Sequence, residues 1–200
     1  MRLAVCVSGR GSNLVALLEA LAGSPAAEVV LVLSNKADAP ALDRARARGI
    51  PAQAFGNFRD AGEWLELLTR HRVDLVVLAG YLKLVPAGVI SAYRGRILNI
   101  HPALLPDFGG PGMYGHHVHE AVVRSGVPVS GATVHLVDEE YDRGEILGQA
   151  RVPVHPGDTA ATLAARVLEA EHRLLPAVVL AAAAAGHPVP LPAPLSFSSH

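Results

Sequence analysis

The sequence has one cysteine, one tryptophan, only two lysines and no uninterrupted apolar run approaching the ~20 residues of a membrane-crossing helix. A lone cysteine cannot close an intramolecular disulfide. Cys6 lies within Leu3-Ala4-Val5-Cys6-Val7, which reads as a buried strand, so core filling is expected of it and nucleophilic catalysis is not. No basic-then-apolar leader with a cleavage site precedes that strand, and a cytoplasmic location is expected. An excess of charge of one sign is also missing. Seventeen basic residues against 18 acidic ones leave a formal charge of −1, no field for gripping a nucleic-acid backbone or an anionic membrane, so the expected partners are small molecules.

What is present suits one compact domain: 200 residues, half of them hydrophobic, can bury a sizeable core. Residues 1–100 alternate short β-branched runs (3–7, 29–33, 51–55, 75–79, 97–100) with helix-like segments starting near Asn13, Ala39 and Asp60. That rhythm calls for parallel strands with right-handed crossovers and helices on both faces, a doubly wound α/β half. After His101 a loop rich in Pro and Gly (102–115) leads to a short helix and two further strands, 132–137 and 146–154. Their connection is too short for a crossover helix, so an antiparallel pair is expected. Asp158 or Thr159 is placed to cap a long Ala- and Leu-rich helix reaching about Ala185. The domain is therefore drawn as 1–186, in halves 1–100 and 101–186, with a mobile Pro-rich tail over 187–200.

Ser8-Gly9-Arg10-Gly11-Ser12-Asn13 joins the first strand to the first helix, where unpaired N–H groups and the positive helix end favour a phosphate. The glycines alone would serve a tight turn equally well; Ser12 and Asn13, adding donors directly before a helix, favour a monophosphate. A dinucleotide fingerprint would need a third glycine where Leu14 stands and an acid at the end of the second strand, where the sequence has Ser34-Asn35-Lys36. No lysine follows in the P-loop pattern, so triphosphate hydrolysis has no support.

In Ile97-Leu98-Asn99-Ile100-His101-Pro102, two polar side chains stand two apart at the carboxyl end of a strand and project to one face, at the end of an open α/β sheet where ligands bind. An amide that can donate to a developing oxyanion beside an imidazole that can carry protons suits acyl transfer. Taken alone, the pair would equally suit two satisfied polar residues at a strand end. His116, His117 and His119 match no standard metal-ligand spacing, and no metal is expected.

Asn99-Ile-His-Pro-Ala-Leu-Leu-Pro106 resembles the Asn-x-His-Pro-Ser-Leu-Leu-Pro signature of the folate-dependent formyltransferases. Gly9-x-Gly-Ser-Asn13, Ser34-Asn35-Lys36-x-Asp38, Leu78-Ala79-Gly80-Tyr81, Gly131-Ala-Thr-Val-His135-Leu-Val and Gly157-Asp158-Thr159 are similar, in order, to the branch acting on glycinamide ribonucleotide. The likeness runs from Met1 to about Gly186 and implies a single Rossmann-like formyltransferase domain, an enzyme using 10-formyltetrahydrofolate as co-substrate, with a homodimer left open. It implies a catalytic trio of Asn99, His101 and Asp142, the last two residues before Gly144 as in the family. It places the nucleotide on Gly11, Ser12, Asn13 and Glu171, and the folate along Leu82, Lys83, Leu84 and Val85, Asp138, Glu139, Glu140 and Tyr141, with Arg59 near its acidic tail. A carboxylate beside His101 leads to the expectation of a charged imidazole at neutral pH. His119 aligns with a histidine after the family's mobile loop, and His135 is expected to be a structural hydrogen-bonding residue near the centre. Lys83 stands where relatives commonly have Arg, and 107–119 reads as several residues longer than in close relatives.

Hydrolysis of formyltetrahydrofolate would use the same trio with water as acceptor, but such enzymes usually carry an N-terminal regulatory domain. Methionyl-tRNA formylation resembles this pattern with an added C-terminal β-domain and a basic surface. A non-catalytic nucleotide-binding module would be favoured by a broken trio, and the trio is intact.

Overall fold

The computed structural model describes residues 1–196. Its elements are β1 (Arg2–Val7), α1 (Ser12–Ala20), β2 (Glu28–Ser34), α2 (Pro40–Arg46), β3 (Ala52–Ala54), α3 (Ala61–Arg70), β4 (Leu75–Leu78), α4 (Ala87–Ala92), β5 (Ile97–His101), α5 (His116–Ser125), β6 (Val129–Leu136), β7 (Ile146–Pro153), α6 (Ala160–Ala185) and β8 (Leu195–Ser196). The eight strands form one sheet in the order β3-β2-β1-β4-β5-β6-β7-β8. β3, β2, β1, β4 and β5 run parallel, and β6 is antiparallel to both β5 and β7. The chain winds outward from β1 through β3, then returns to β4 beside β1, so the connections after β1 and β4 diverge and open a crevice at their carboxyl ends.

Alternation along β1 shows why both faces are covered. Leu3, Val5 and Val7 enter a core with α1, α2 and α6, while Ala4 and Cys6 face the second core, built on Trp64, Leu67 and Leu68 of α3 and Val89 and Ile90 of α4. Cys6 is fully buried, and burial pushes its thiol well above the ordinary value, which fits core filling. Thr159 caps α6 reciprocally with Thr162, and Asp158 pairs with Arg166 at 2.8 Å, which holds the Asp158 carboxyl below the usual carboxylate range. Among the described residues no helix is long and apolar enough to cross a membrane.

Two features depart from the sequence reading. α4 follows Pro86 without a side-chain cap and was not anticipated. The Pro-rich segment after Gly186 is not a loose tail over its described part: Leu191 packs against the core and its N–H donates to Leu147 O at 2.6 Å, and β8 pairs parallel to β7. Apolar side chains between prolines bring it down onto the sheet, and the prolines are tolerated because the strand is an edge. Residues 197–200 of that expected tail lie outside the described residues.

Candidate active site

The crevice opens into a cavity of about 1030 Å³, lined by Arg10 of the β1–α1 loop and Asn13 in the first turn of α1, after β4 by Gly80 to Val85, and at the end of β5 by Asn99 and His101. Asp142 of the β6–β7 loop and Glu171 of α6 line it too. The predicted trio therefore does converge.

Antiparallel pairing sets Asn99 directly opposite His135. His135 Nδ1 lies 2.8 Å from its neighbour's carbonyl, Leu136 O, and donates to it, leaving Nε2 to accept from the Asn99 amide at 3.1 Å. One Asn99 N–H is thus fixed and the second is free for the cavity. His135 Nε2 is also 3.5 Å from Asp142 Oδ1, so this histidine fixes Asn99 and lies beside Asp142. The sequence signal for it was its place on a strand near the centre, which identifies a hydrogen-bonding residue but not its partners.

His101 is 3% exposed. Its Nε2–H donates to Phe108 O at 2.8 Å, and its Nδ1 faces Asp142 Oδ2 at 3.7 Å, beyond a direct hydrogen bond but well within the reach of a charge. The expectation of a charged imidazole is corrected here. Burial lowers the His101 pKa below its ordinary value, outweighing Asp142 and the Phe108 carbonyl, and His135 adds to the lowering. The ring is neutral at pH 7, with Nδ1 open to take a proton.

Asp142 adopts φ 54°, in the left-handed region, and its Oδ2 accepts from Gly110 N–H at 2.9 Å. Burial works to raise its carboxyl, yet the close His135 ring, the hydrogen bond from Gly110 N–H and the neighbouring His101 leave it below the usual carboxylate value. Gly144 explains the spacing: a Cβ there would fall on the Leu136 carbonyl, so only glycine lets the loop close back on β6 and present Asp142 to the two histidines. The Pro- and Gly-rich loop after β5 braces both members of the His101–Asp142 pair through backbone groups, Phe108 O and Gly110 N. Its continuation, Met113 to His116, forms part of the cavity wall.

In the β1–α1 region, Gly11 is the N-cap of α1 at φ 73°, and a Cβ there would lie 2.5 Å from Ala41 Cβ. The helix has no side-chain cap, so its first-turn N–H groups stay open to an anion. Gly11 and Ser12 do not line the cavity themselves, whereas Arg10 does, a residue the sequence reading passed over. The Asn13 amide is not directed at a phosphate: its Nδ2 donates to Glu171 Oε2 at 2.6 Å. Glu171 is 8% exposed and burial pushes its carboxyl up to about 7, against the opposing pull of Asn13.

The residues expected to meet a folate, Arg59, Leu82, Lys83, Leu84, Val85, Asp138, Glu139, Glu140 and Tyr141, all line the cavity. Leu82 and Leu84 are 50% and 61% exposed, apolar surface of the kind a flat ligand covers. Glu139 is tied to Arg94 at 2.9 Å. His119, buried in α5 with Nδ1 lacking a partner among the described residues, also lines the cavity, and burial lowers its pKa to about 4. Among the described residues no group of three or more His, Cys, Asp or Glu side chains could hold a metal ion.

Residues 1–179 match the family model described as formyl transferase. The chain is 47% identical, over 186 residues and 89% of its length, to a protein of Arabidopsis thaliana named phosphoribosylglycinamide formyltransferase, chloroplastic. It spans 64% of that relative's length, and 59% of a second chloroplastic relative from Vigna unguiculata. Among solved structures, phosphoribosylglycinamide formyltransferase of Brucella melitensis superposes with a TM-score of 0.82 at 46% identity, covering 92% of this chain and 95% of that one. Glycinamide ribonucleotide transformylase 1 of Symbiobacterium toebii gives 0.85 at 38% identity, covering 92% and 88%.

Proposed function

The chain belongs to the formyl transferase family, and we propose that it moves a formyl group from 10-formyltetrahydrofolate to the amine of glycinamide ribonucleotide. The products are formylglycinamide ribonucleotide and tetrahydrofolate, a step of purine synthesis. The observation that carries this reading is the meeting of Asn99, His101 and Asp142 on one cavity, with His101 Nδ1 open and 3.7 Å from a carboxylate.

In this reading the glycinamide amine attacks the formyl carbon, a new C–N bond forms, and the bond from that carbon to N10 breaks. The free N–H of Asn99 donates to the carbonyl oxygen as it becomes negative; the other is fixed by His135, so the amide is already oriented. The proton lost by the amine passes to His101 Nδ1 and is returned to the departing N10. While it resides there, the imidazolium lies between the Phe108 carbonyl and the Asp142 carboxylate, both of which favour its charge. The phosphate takes the first-turn N–H groups of α1 with Gly11, Ser12 and Asn13. Glu171 faces the rest of the nucleotide, and the folate lies along residues 82–85 and 138–141 with Arg59 near its acidic end.

Mixing the protein with both substrates and following tetrahydrofolate release tests the proposal. Release that requires glycinamide ribonucleotide is expected; release at the same rate without it would assign hydrolysis instead.

A further inference from the structure

We propose that Ser8 is a positioning residue through which the end of β1 holds residues 80–85 in the shape that receives the folate. Ser8 is 5% exposed and opens the β1–α1 loop. Its hydroxyl donates to Asn35 Oδ1 at 2.5 Å and accepts from the Leu82 N–H at 2.8 Å. A hydroxyl has one proton, so directing it at Asn35 leaves a lone pair aimed at Leu82. The carboxyl ends of β1, β2 and β4 are thereby joined at one oxygen.

Residues 80–85 need such a link because little else holds them. They form no regular secondary structure, and among the described residues their backbone N–H groups donate one hydrogen bond, that from Leu82 to Ser8. Tyr81 and Val85 are buried, Tyr81 against the edge of Trp64, but Leu82 and Leu84 between them stand in the cavity wall half exposed. The remaining N–H groups donate no hydrogen bond among the described residues, and the backbone path that carries them hangs on Ser8. The glycine loop next to Ser8 is held separately, by Ala41 N–H donating to Gly9 O at 3.2 Å and by the close packing of Gly11 on Ala41. Losing the hydroxyl therefore loosens the folate side and spares the nucleotide side.

The inference rests on the function proposed above, and the test separates the two. Ser8→Ala is expected to raise the KM for 10-formyltetrahydrofolate about tenfold, which corresponds to ~1.4 kcal/mol and is the scale of an unmet buried donor. The KM for glycinamide ribonucleotide and kcat should stay within about threefold. Ser8→Thr, which keeps the hydroxyl, should recover most of the loss. Hydrogen exchange of the Leu82 amide should quicken in Ser8→Ala, while exchange in the first turn of α1 does not change. Calorimetry with tetrahydrofolate reads the same binding defect without turnover. It applies even if the parent proves inactive with the nucleotide, a result that would overturn the function but not the role of Ser8. A parental folate KM and unchanged Leu82 exchange in Ser8→Ala would overturn the inference, as would an equal rise in both KM values.

Discussion

Replacing Asp142 by Asn removes a charge and almost nothing else. Asn tolerates the left-handed backbone that Asp142 adopts at φ 54°, and its carbonyl oxygen can still accept from Gly110 N–H. What changes is the interaction with a proton on His101 Nδ1, 3.7 Å away. Two unit charges at that separation attract by about 1 kcal/mol with water-like screening and about 4 kcal/mol with the screening typical near a protein surface. The midpoint of that range corresponds to roughly a hundredfold in rate, so turnover at saturating substrates should fall by about that factor with smaller changes in either KM. Histidine-resolved NMR titration, with His101→Ala identifying the resonance, should show the already lowered His101 pKa dropping further, because burial then acts without its main opponent. The sign follows from the same argument: the active form is the neutral ring, activity is lost as pH falls through the His101 pKa, and the acid limb moves to lower pH in the variant. Turnover within threefold of the parent would remove Asp142 from the chemistry. A slow variant with an unmoved His101 titration would assign it to holding the Gly110 loop.

Gly11→Val should weaken glycinamide ribonucleotide binding far more than tetrahydrofolate binding, since a Cβ meets Ala41 and the φ of 73° disfavours a branched residue; calorimetry showing equal losses would reduce the loop to a turn. Asn99→Ala should raise the activation barrier by ~3 kcal/mol, as other lost oxyanion donors do, and kcat within threefold of the parent would contradict its role. Glu171→Gln should raise the melting temperature at pH 8 and leave it near parental at pH 5. The folded-state pKa of Glu171 is raised to about 7, so its ionised form opposes folding as pH climbs from the unfolded carboxylate value through 7, and the amide escapes that cost. Parallel melting curves at the two pH values would show that burial does not act on Glu171 in this way.

The trio was legible only through the family resemblance, because its local signs alone leave a purely structural reading open. Asn99 and His101 sit two apart on a strand end, and Asp142 precedes a glycine that the Leu136 carbonyl leaves no room to replace. The protonation state of His101 was not legible, because a neighbouring carboxylate is visible in a sequence while the degree of burial that outweighs it is not. The bracing of that pair was hidden for a different reason: Phe108 and Gly110 contribute a carbonyl and an N–H, groups that every residue but proline has and that no residue type announces. Asn13 was assigned to phosphate on loop chemistry and on the resemblance. Its partner Glu171 stands 158 positions away, a pairing only the packing of α1 against α6 reveals. The parallel and antiparallel halves followed from loop lengths, whereas β8 followed from the docking of Leu191 and Leu195 amid prolines that argue against a strand.

The closure of the β6–β7 loop on Gly144 divides that loop into a part free to drift and a part that cannot. Glu139, Glu140, Tyr141 and Arg143 are exposed, while Asp142 is held by the Gly110 N–H and lies beside His135, on a loop that Gly144 seats against the Leu136 carbonyl. A folate-mimicking inhibitor that drew its affinity from the exposed side chains would face a surface that can change without touching Asn99, His101 or Asp142. One that engaged the backbone of residues 80–85 and the Asp142 corner would leave the enzyme no such escape.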